Sequence, residues 1–153
     1  MSQPGPILVP LDFSASSDAA LELATALAGR FGAEMVLLHV DPAVETAPLG
    51  EKALARREEA RAELERARQA LSDRSVAVRV FLRPGDPARE VLRMADAERP
   101  LTIVIGAHGH SRAASPLLGS VADRVVRYAT CPVLVVPHPA RRTTPALTSS
   151  AAS

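Results

Sequence analysis

The chain predicts an α/β fold: an open, five-stranded parallel sheet with helices on both faces. Three observations carry this expectation. Five short apolar runs alternate with four segments of helical periodicity, and that alternation builds parallel β-α-β units. Each run is nearly continuous in apolar residues rather than alternating with polar ones, as strands covered on both faces are. The fourth run stops at a glycine and is followed by a glycine loop and then a helical pattern. In open sheets of this kind that strand-to-helix connection lies at the ligand-binding edge.

The elements follow in order. Ile7-Leu8-Val9-Pro10-Leu11 reads as a buried strand, ended by Asp12-Phe13-Ser14. Ser16, Ser17 or Asp18 is placed to cap a helix. Its apolar face is Ala20, Leu23, Ala24, Leu27, Ala28 and Phe31, and Gly32 stops it. A second strand covers Glu34–Val40, and Asp41–Gly50, with two prolines, reads as a loop. Glu51–Leu71 is a charged helix with a thin stripe of Ala60, Leu64, Ala67 and Leu71; its charges read as a solvated face. Val76–Leu82 is a third strand. In the turn Pro84-Gly85-Asp86-Pro87, Asp86 is an N-cap and Pro87 the first helical residue. That helix runs to about Glu98 and buries Val91, Leu92 and Ala95. Leu101–Ile105 is a fourth strand. Ser120–Ala129 is a fourth helix with Val121, Val125 and Tyr128 on one side, and Val133–Val136 is a fifth strand. Residues 1–137 are expected to form one domain. The tail 138–153 is rich in Pro, Thr, Ser and Ala and has too little apolar surface to fold.

Composition narrows the function classes. At 153 residues the chain can bury a core; with no Trp and 3% aromatics, Val, Leu, Ile and Ala must build it. A net charge of +1 gives no argument for nucleic acid or an anionic membrane. Cys131 is the single cysteine, so no internal disulfide forms, and its place before Pro132 and an apolar run suits an inert buried thiol. The first residues lack a basic and a long apolar region, and no apolar stretch approaches the roughly 20 residues that span a bilayer. A cytoplasmic location is expected.

The most informative stretch is 102–120, Thr-Ile-Val-Ile-Gly-Ala-His-Gly-His-Ser-Arg-Ala-Ala-Ser-Pro-Leu-Leu-Gly-Ser. Glycine lets backbone approach an anion with no Cβ in the way. The first N–H groups of a helix lack internal acceptors and carry partial positive charge, and a phosphate satisfies both. The loop is not a Walker motif, since Lys52 is the only lysine. It is not Gly-x-Gly-x-x-Gly either. If strands one and four are neighbours, Asp12 faces this loop across one crevice.

Gly106, Gly109, Gly119 and Ser120 match without a gap the signature Gly-x2-Gly-x9-Gly-[Ser/Thr], and with it the chain resembles the universal stress protein family over about residues 5–137. The opening Ile-Leu-Val-Pro-Leu-Asp-Phe-Ser, Leu-Leu-His-Val at 37–40, Gly-Asp-Pro at 85–87 and Cys-Pro-Val-Leu-Val-Val-Pro at 131–137 resemble it in the same order. The resemblance implies a Rossmann-like fold of strand order 3-2-1-4-5 and binding of ATP or another adenine nucleotide. Mg²⁺ is expected to accompany the phosphates, since that ion binds through phosphate oxygens and few protein ligands. By matching position, Asp12 would contact ribose or adenine, with Pro10 flanking the site and Val40 lining the adenine pocket. Gly106 and Gly109 would let the loop wrap the phosphates. Gly119, Ser120 and Val121 would hold phosphate through backbone N–H groups and the Ser120 hydroxyl. The resemblance also implies a homodimer formed by isologous pairing of the edge strand Val133–Val136.

Each residue has a plainer reading as well. Asp12 can be a turn former, Gly106 and Gly109 can serve a tight turn, and Ser120 can be an N-cap. His108 and His110 have no nearby Cys or carboxylate in sequence to complete a zinc site and read as polar loop residues. Arg112 is either a forked donor to terminal phosphates or a solvent-facing side chain. His39, ending a strand, reads as structural. The edge strand can be protected by its shortness alone. A nucleotide-binding module is the first functional reading. Slow ATP hydrolysis or self-phosphorylation at Ser111, Ser115 or Ser120 is a second, and a nucleotide-independent dimeric scaffold is a third.

Overall fold

The computed structural model describes residues 2–42, 50–110 and 116–139. Its elements are β1 (Ile7–Pro10), α1 (Ala15–Phe31), β2 (Met35–Asp41), α2 (Glu51–Ser72), β3 (Val78–Pro84), α3 (Pro87–Glu98), β4 (Thr102–Gly106), α4 (Ser120–Tyr128) and β5 (Val133–Val136). All neighbouring strands are parallel, in the order β3-β2-β1-β4-β5. β1 is central, with Ile7 opposite both Met35 and Thr102. The chain builds outward from β1 to β3, then crosses back to place β4 on the other side of β1. The strand order therefore reverses between β1 and β4, and a ligand crevice is expected beyond their carboxyl ends.

Two apolar layers sandwich the sheet. Ile7, Val9, Leu11, Met35, Leu37 and Val104 face α1 and α2, packing on Ala20, Ala24, Ala28, Leu64 and Leu71. The alternate residues Leu8, Val36, Leu38, Val40, Ile103 and Ile105 face α3 and α4, packing on Val91, Met94, Ala95, Ala122 and Val125. The period of two along each strand puts one set of side chains on each face. Helices accordingly cover both.

Some local expectations need correction. The cap of α1 is Ser14, whose Oγ accepts the Ser17 N–H at 3.3 Å; Ser16 and Ser17 are instead buried in the first turn. The backbone of Phe13 is left-handed, φ 63°, which turns the chain into the helix earlier than expected. Leu23 and Phe31 are exposed at 40% and 57%, because α1 contacts the sheet through a stripe of small residues, Ser16, Ser17, Ala20, Ala24 and Ala28. In α3, Leu92 is only half-buried and Met94 is buried instead. Tyr128, in the last turn of α4, is 69% exposed, while Val125 is fully buried. β3 starts at Val78 and runs through Pro84. The edge strands β3 and β5 are half-buried to exposed rather than covered on both faces, since each lacks one neighbour. Gly32 does end α1, in the left-handed conformation at φ 62°, and Asp86 and Pro87 start α3 as expected.

Candidate functional site

At the carboxyl end of β1, Pro10 pairs with Leu38, and the Leu11 N–H donates to the Leu38 carbonyl at 2.8 Å. Asp12 follows. Its Oδ1 accepts the Ser14 N–H at 3.0 Å, an Asx turn that redirects the chain toward α1. Phe13 stacks on His39, with centroids 4.6 Å apart and planes at 27°. His39 donates from Nδ1 to the Leu11 carbonyl at 2.7 Å, so its role here is structural. A left-handed bulky residue costs about 1–3 kcal/mol and persists only where its surroundings fix it; the His39 stack and the Asp12 turn do so. Asp12 is thereby held in place from both sides.

The facing wall is the β4–α4 connection. Gly106 ends β4 where the first turn of α1 passes: a Cβ there would lie 2.7 Å from the Ser16 carbonyl carbon and 2.9 Å from the Ser17 nitrogen. Ala107 donates to the Val136 carbonyl at 2.8 Å, and its own carbonyl accepts the Gly119 N–H at 2.7 Å. That second bond closes the loop at its base. His108 is buried; its Nε2 donates to the Leu117 carbonyl at 2.5 Å, and its carbonyl accepts the Ser14 hydroxyl at 3.5 Å. At Gly109 a Cβ would sit 2.8 Å from Asp12 Oδ2. His110 Nε2 donates to the Asp12 carbonyl at 2.6 Å. Asp12 and the glycine loop therefore meet across the crevice between β1 and β4.

Gly119 is the N-cap of α4 and supplies no side-chain cap. The first N–H groups of α4, from Ser120 onward, thus have neither intrahelical acceptors nor a capping side chain. A Cβ on Gly119 would lie 3.2 Å from the Ala107 carbonyl oxygen. Ser120 is exposed at the first helical position, and Val121 is half-buried against the core shared by α3 and α4. Val40, 8% exposed, belongs to that same core and pairs with Arg83 near the end of β2. Pro10, Asp12, Gly106, Gly109, Gly119, Ser120 and Val121 surround the switch point, with Val40 one strand outward on the same edge. Ser111, Arg112 and Ser115 lie outside the described residues, as does most of the β2–α2 loop.

One feature of this edge went beyond the sequence reading. Asp86 caps α3, accepting the Arg89 N–H at 2.9 Å, and also takes both oxygens to Arg124 Nη1 at 3.0 and 2.9 Å. The Arg89 N–H first, and Arg124 second, hold the Asp86 carboxyl below its usual range. This ties α3 to α4 one turn beyond Ser120. No local sequence signal announces this pair, because the two residues lie 38 positions apart, one capping α3 and the other within α4. Cys131 is half-buried, and burial pushes its thiol pKa up, which keeps it protonated and unreactive. Among the described residues, no group of three His, Cys, Asp or Glu is placed to hold a metal ion. No helix among them is long and apolar enough to cross a membrane.

This geometry suits an anionic ligand with a polar body: among the described residues, helix N-terminal N–H donors without a side-chain cap on one side and a fixed carboxylate on the other. Comparison with known proteins agrees on the family. The model of the universal stress protein family matches residues 5–137. The chain is 32% identical over 139 residues to the universal stress protein MJ0531 of Methanocaldococcus jannaschii, covering 87% of this chain and 82% of that one. The solved structure of MJ0577 from the same organism superposes with a TM-score of 0.77 at 31% identity, covering 89% of this chain and 97% of that one. A universal stress protein from Archaeoglobus fulgidus, solved in complex with dAMP, shares the fold at a TM-score of 0.67 and 23% identity, over 88% and 99% of the two chains.

Proposed function

Because the chain belongs to the universal stress protein family, we propose that it binds an adenine nucleotide, ATP first among them, in the crevice between Asp12 and the N-terminus of α4. It acts as a cytoplasmic, nucleotide-dependent stress-response module rather than a catalyst. The observation that carries this reading is the close approach of the Asp12 carboxylate to Gly109, where a Cβ would lie 2.8 Å from Oδ2, beside a helix N-terminus that Gly119 leaves without a side-chain cap. Within the family the same fold has been solved in complex with dAMP, so the architecture can hold such a ligand.

In this reading Asp12 accepts hydrogen bonds from ribose hydroxyls or the adenine amino group, Pro10 flanks the sugar, and Val40 gives the base an apolar wall. Gly106 and Gly109 keep the loop close enough to wrap the phosphates. The N–H groups of Gly119, Ser120 and Val121 and the Ser120 hydroxyl line the phosphate cradle, with the Gly119 N–H shared with the Ala107 carbonyl. Mg²⁺ would be held chiefly by phosphate oxygens and water, as is usual for this ion. The protein pairs with a second copy through β5, whose Leu134 is 41% exposed and which, among the described residues, has no strand on its outer side.

Calorimetric titration with ATP, ADP, AMP and cyclic AMP tests this. Saturable binding is expected. Asp12→Asn keeps an oxygen for the Ser14 N–H but loses the charge, and Gly119→Val crowds the cradle. Each should weaken ATP at least tenfold, about 1.4 kcal/mol. A folded Gly119→Val protein that binds ATP as tightly as the parent overturns the phosphate assignment.

A further inference from the structure

We propose a second, independent ligand site at the opposite end of the sheet, for a small amphipathic anion with a carboxylate or phosphate head on a short apolar body. A groove of about 450 Å³ lies between the last turns of α1 and the segment entering β3, lined by Thr25, Ala26, Gly29, Arg30, Arg74 and Val76. It opens at the amino ends of β2 and β3, away from the crevice at their carboxyl ends. The groove is shallow and open to solvent, with Ala26, Gly29, Arg30 and Arg74 exposed along it.

Charge and shape define the ligand. Arg30 and Arg74 both line the groove, and among the described residues neither has a carboxylate within 4.0 Å. Arg79 and Arg124, by contrast, each hold one. Asp73, next to Arg74, caps α2 and pairs with neither guanidinium. Two unpaired guanidiniums on one concavity favour an oxyanion, which each can bind through forked donors. Val76 and Ala26 supply apolar wall. The Thr25 hydroxyl donates its one hydrogen to the Leu21 carbonyl at 2.7 Å, so the two guanidiniums are the donors for the head group.

Gly29 is the independent observation. It lies in the last turn of α1 with ordinary helical backbone, and nothing stands within 4 Å of where its Cβ would be. Neither backbone strain nor packing requires glycine there. Glycine destabilises a helix relative to alanine. Its lack of a side chain keeps the floor of the groove open.

The test is an amide NMR titration of the whole ¹⁵N-labelled protein with sodium octanoate and with octyl phosphate, and with 1-octanol as a neutral control. We expect saturable shifts at Thr25, Gly29, Arg74 and Val76 from at least one anion and none from octanol; the anion that acts identifies the head group. Gly29→Leu should fold with an equal or higher Tm and bind that anion at least tenfold more weakly. The double variant Arg30→Ser/Arg74→Ser should lose binding to the same extent, and ATP affinity should be unchanged in both. No saturable shift, an equal response to octanol, undiminished affinity in the variants, or shifts confined to Gly109 and Ser120 would overturn the proposal. The nucleotide reading stands or falls separately.

Discussion

Gly106 and Gly109 are both glycine because something must come close, but the two approaches differ. At Gly106 the neighbour is the backbone of α1, 2.7–2.9 Å from a would-be Cβ. At Gly109 it is the Asp12 carboxylate. Gly106→Ala should therefore destabilise the whole fold, by about 1–3 kcal/mol as overpacking does, read as a lower urea midpoint with an unchanged slope. The spacing of these glycines was legible in the sequence, as was Asp12 at the end of a strand. The collision with Ser16 was not, because it joins residues 90 positions apart in sequence and leaves no local periodic signal. The left-handed Phe13 was equally hidden: its conformation is fixed by the His39 ring, a tertiary contact.

At the scale of elements, the Asp86–Arg124 pair ties the start of α3 to α4, whose first turn forms part of the candidate cradle. Asp86→Ala removes an N-cap, which costs about 1 kcal/mol. The ion pair adds no more than roughly 0.2–1 kcal/mol, since the Asp86 side chain is 41% exposed and screened by solvent. The pKa of Asp86 is lowered in the folded state. Its contribution is therefore complete above the ordinary carboxylate value, near 3.9, and is lost as pH falls through the lower folded value. Urea unfolding of parent and Asp86→Ala should differ at pH 7 and converge in strong acid; a difference independent of pH would contradict the assignment. All nine elements could be read from apolar runs and punctuation. What failed was the inward face of Leu23, Phe31 and Tyr128. Periodicity shows which residues share a face, whereas the depth of burial depends on how closely a helix lies on the sheet and on where it runs past the core.

For the whole molecule, the parallel architecture followed from strand–helix alternation, while the order 3-2-1-4-5 came from family resemblance and is the order observed. That order makes β3 and β5 the edges, and explains why both are more exposed than their apolar runs alone implied. Among the described residues β5 has a strand neighbour on one side only, which leaves backbone groups on its other side unpaired. Sedimentation velocity should show a dimer for the parent protein and a monomer for Leu134→Glu, since a two-fold axis would place the new carboxylate and its copy within one interface. A parent that sediments as a monomer, or a variant that remains dimeric through this edge, would contradict the pairing.

The central claim is that the crevice between Asp12 and the N-terminus of α4 is a nucleotide site. A crystal structure of the protein grown with ATP and Mg²⁺ tests it most directly. The account predicts phosphate density against the N–H groups of Ser120 and Val121, with the ribose or base at Asp12. A crevice filled by the chain's own loop, with no nucleotide bound there at saturating ATP, would contradict it.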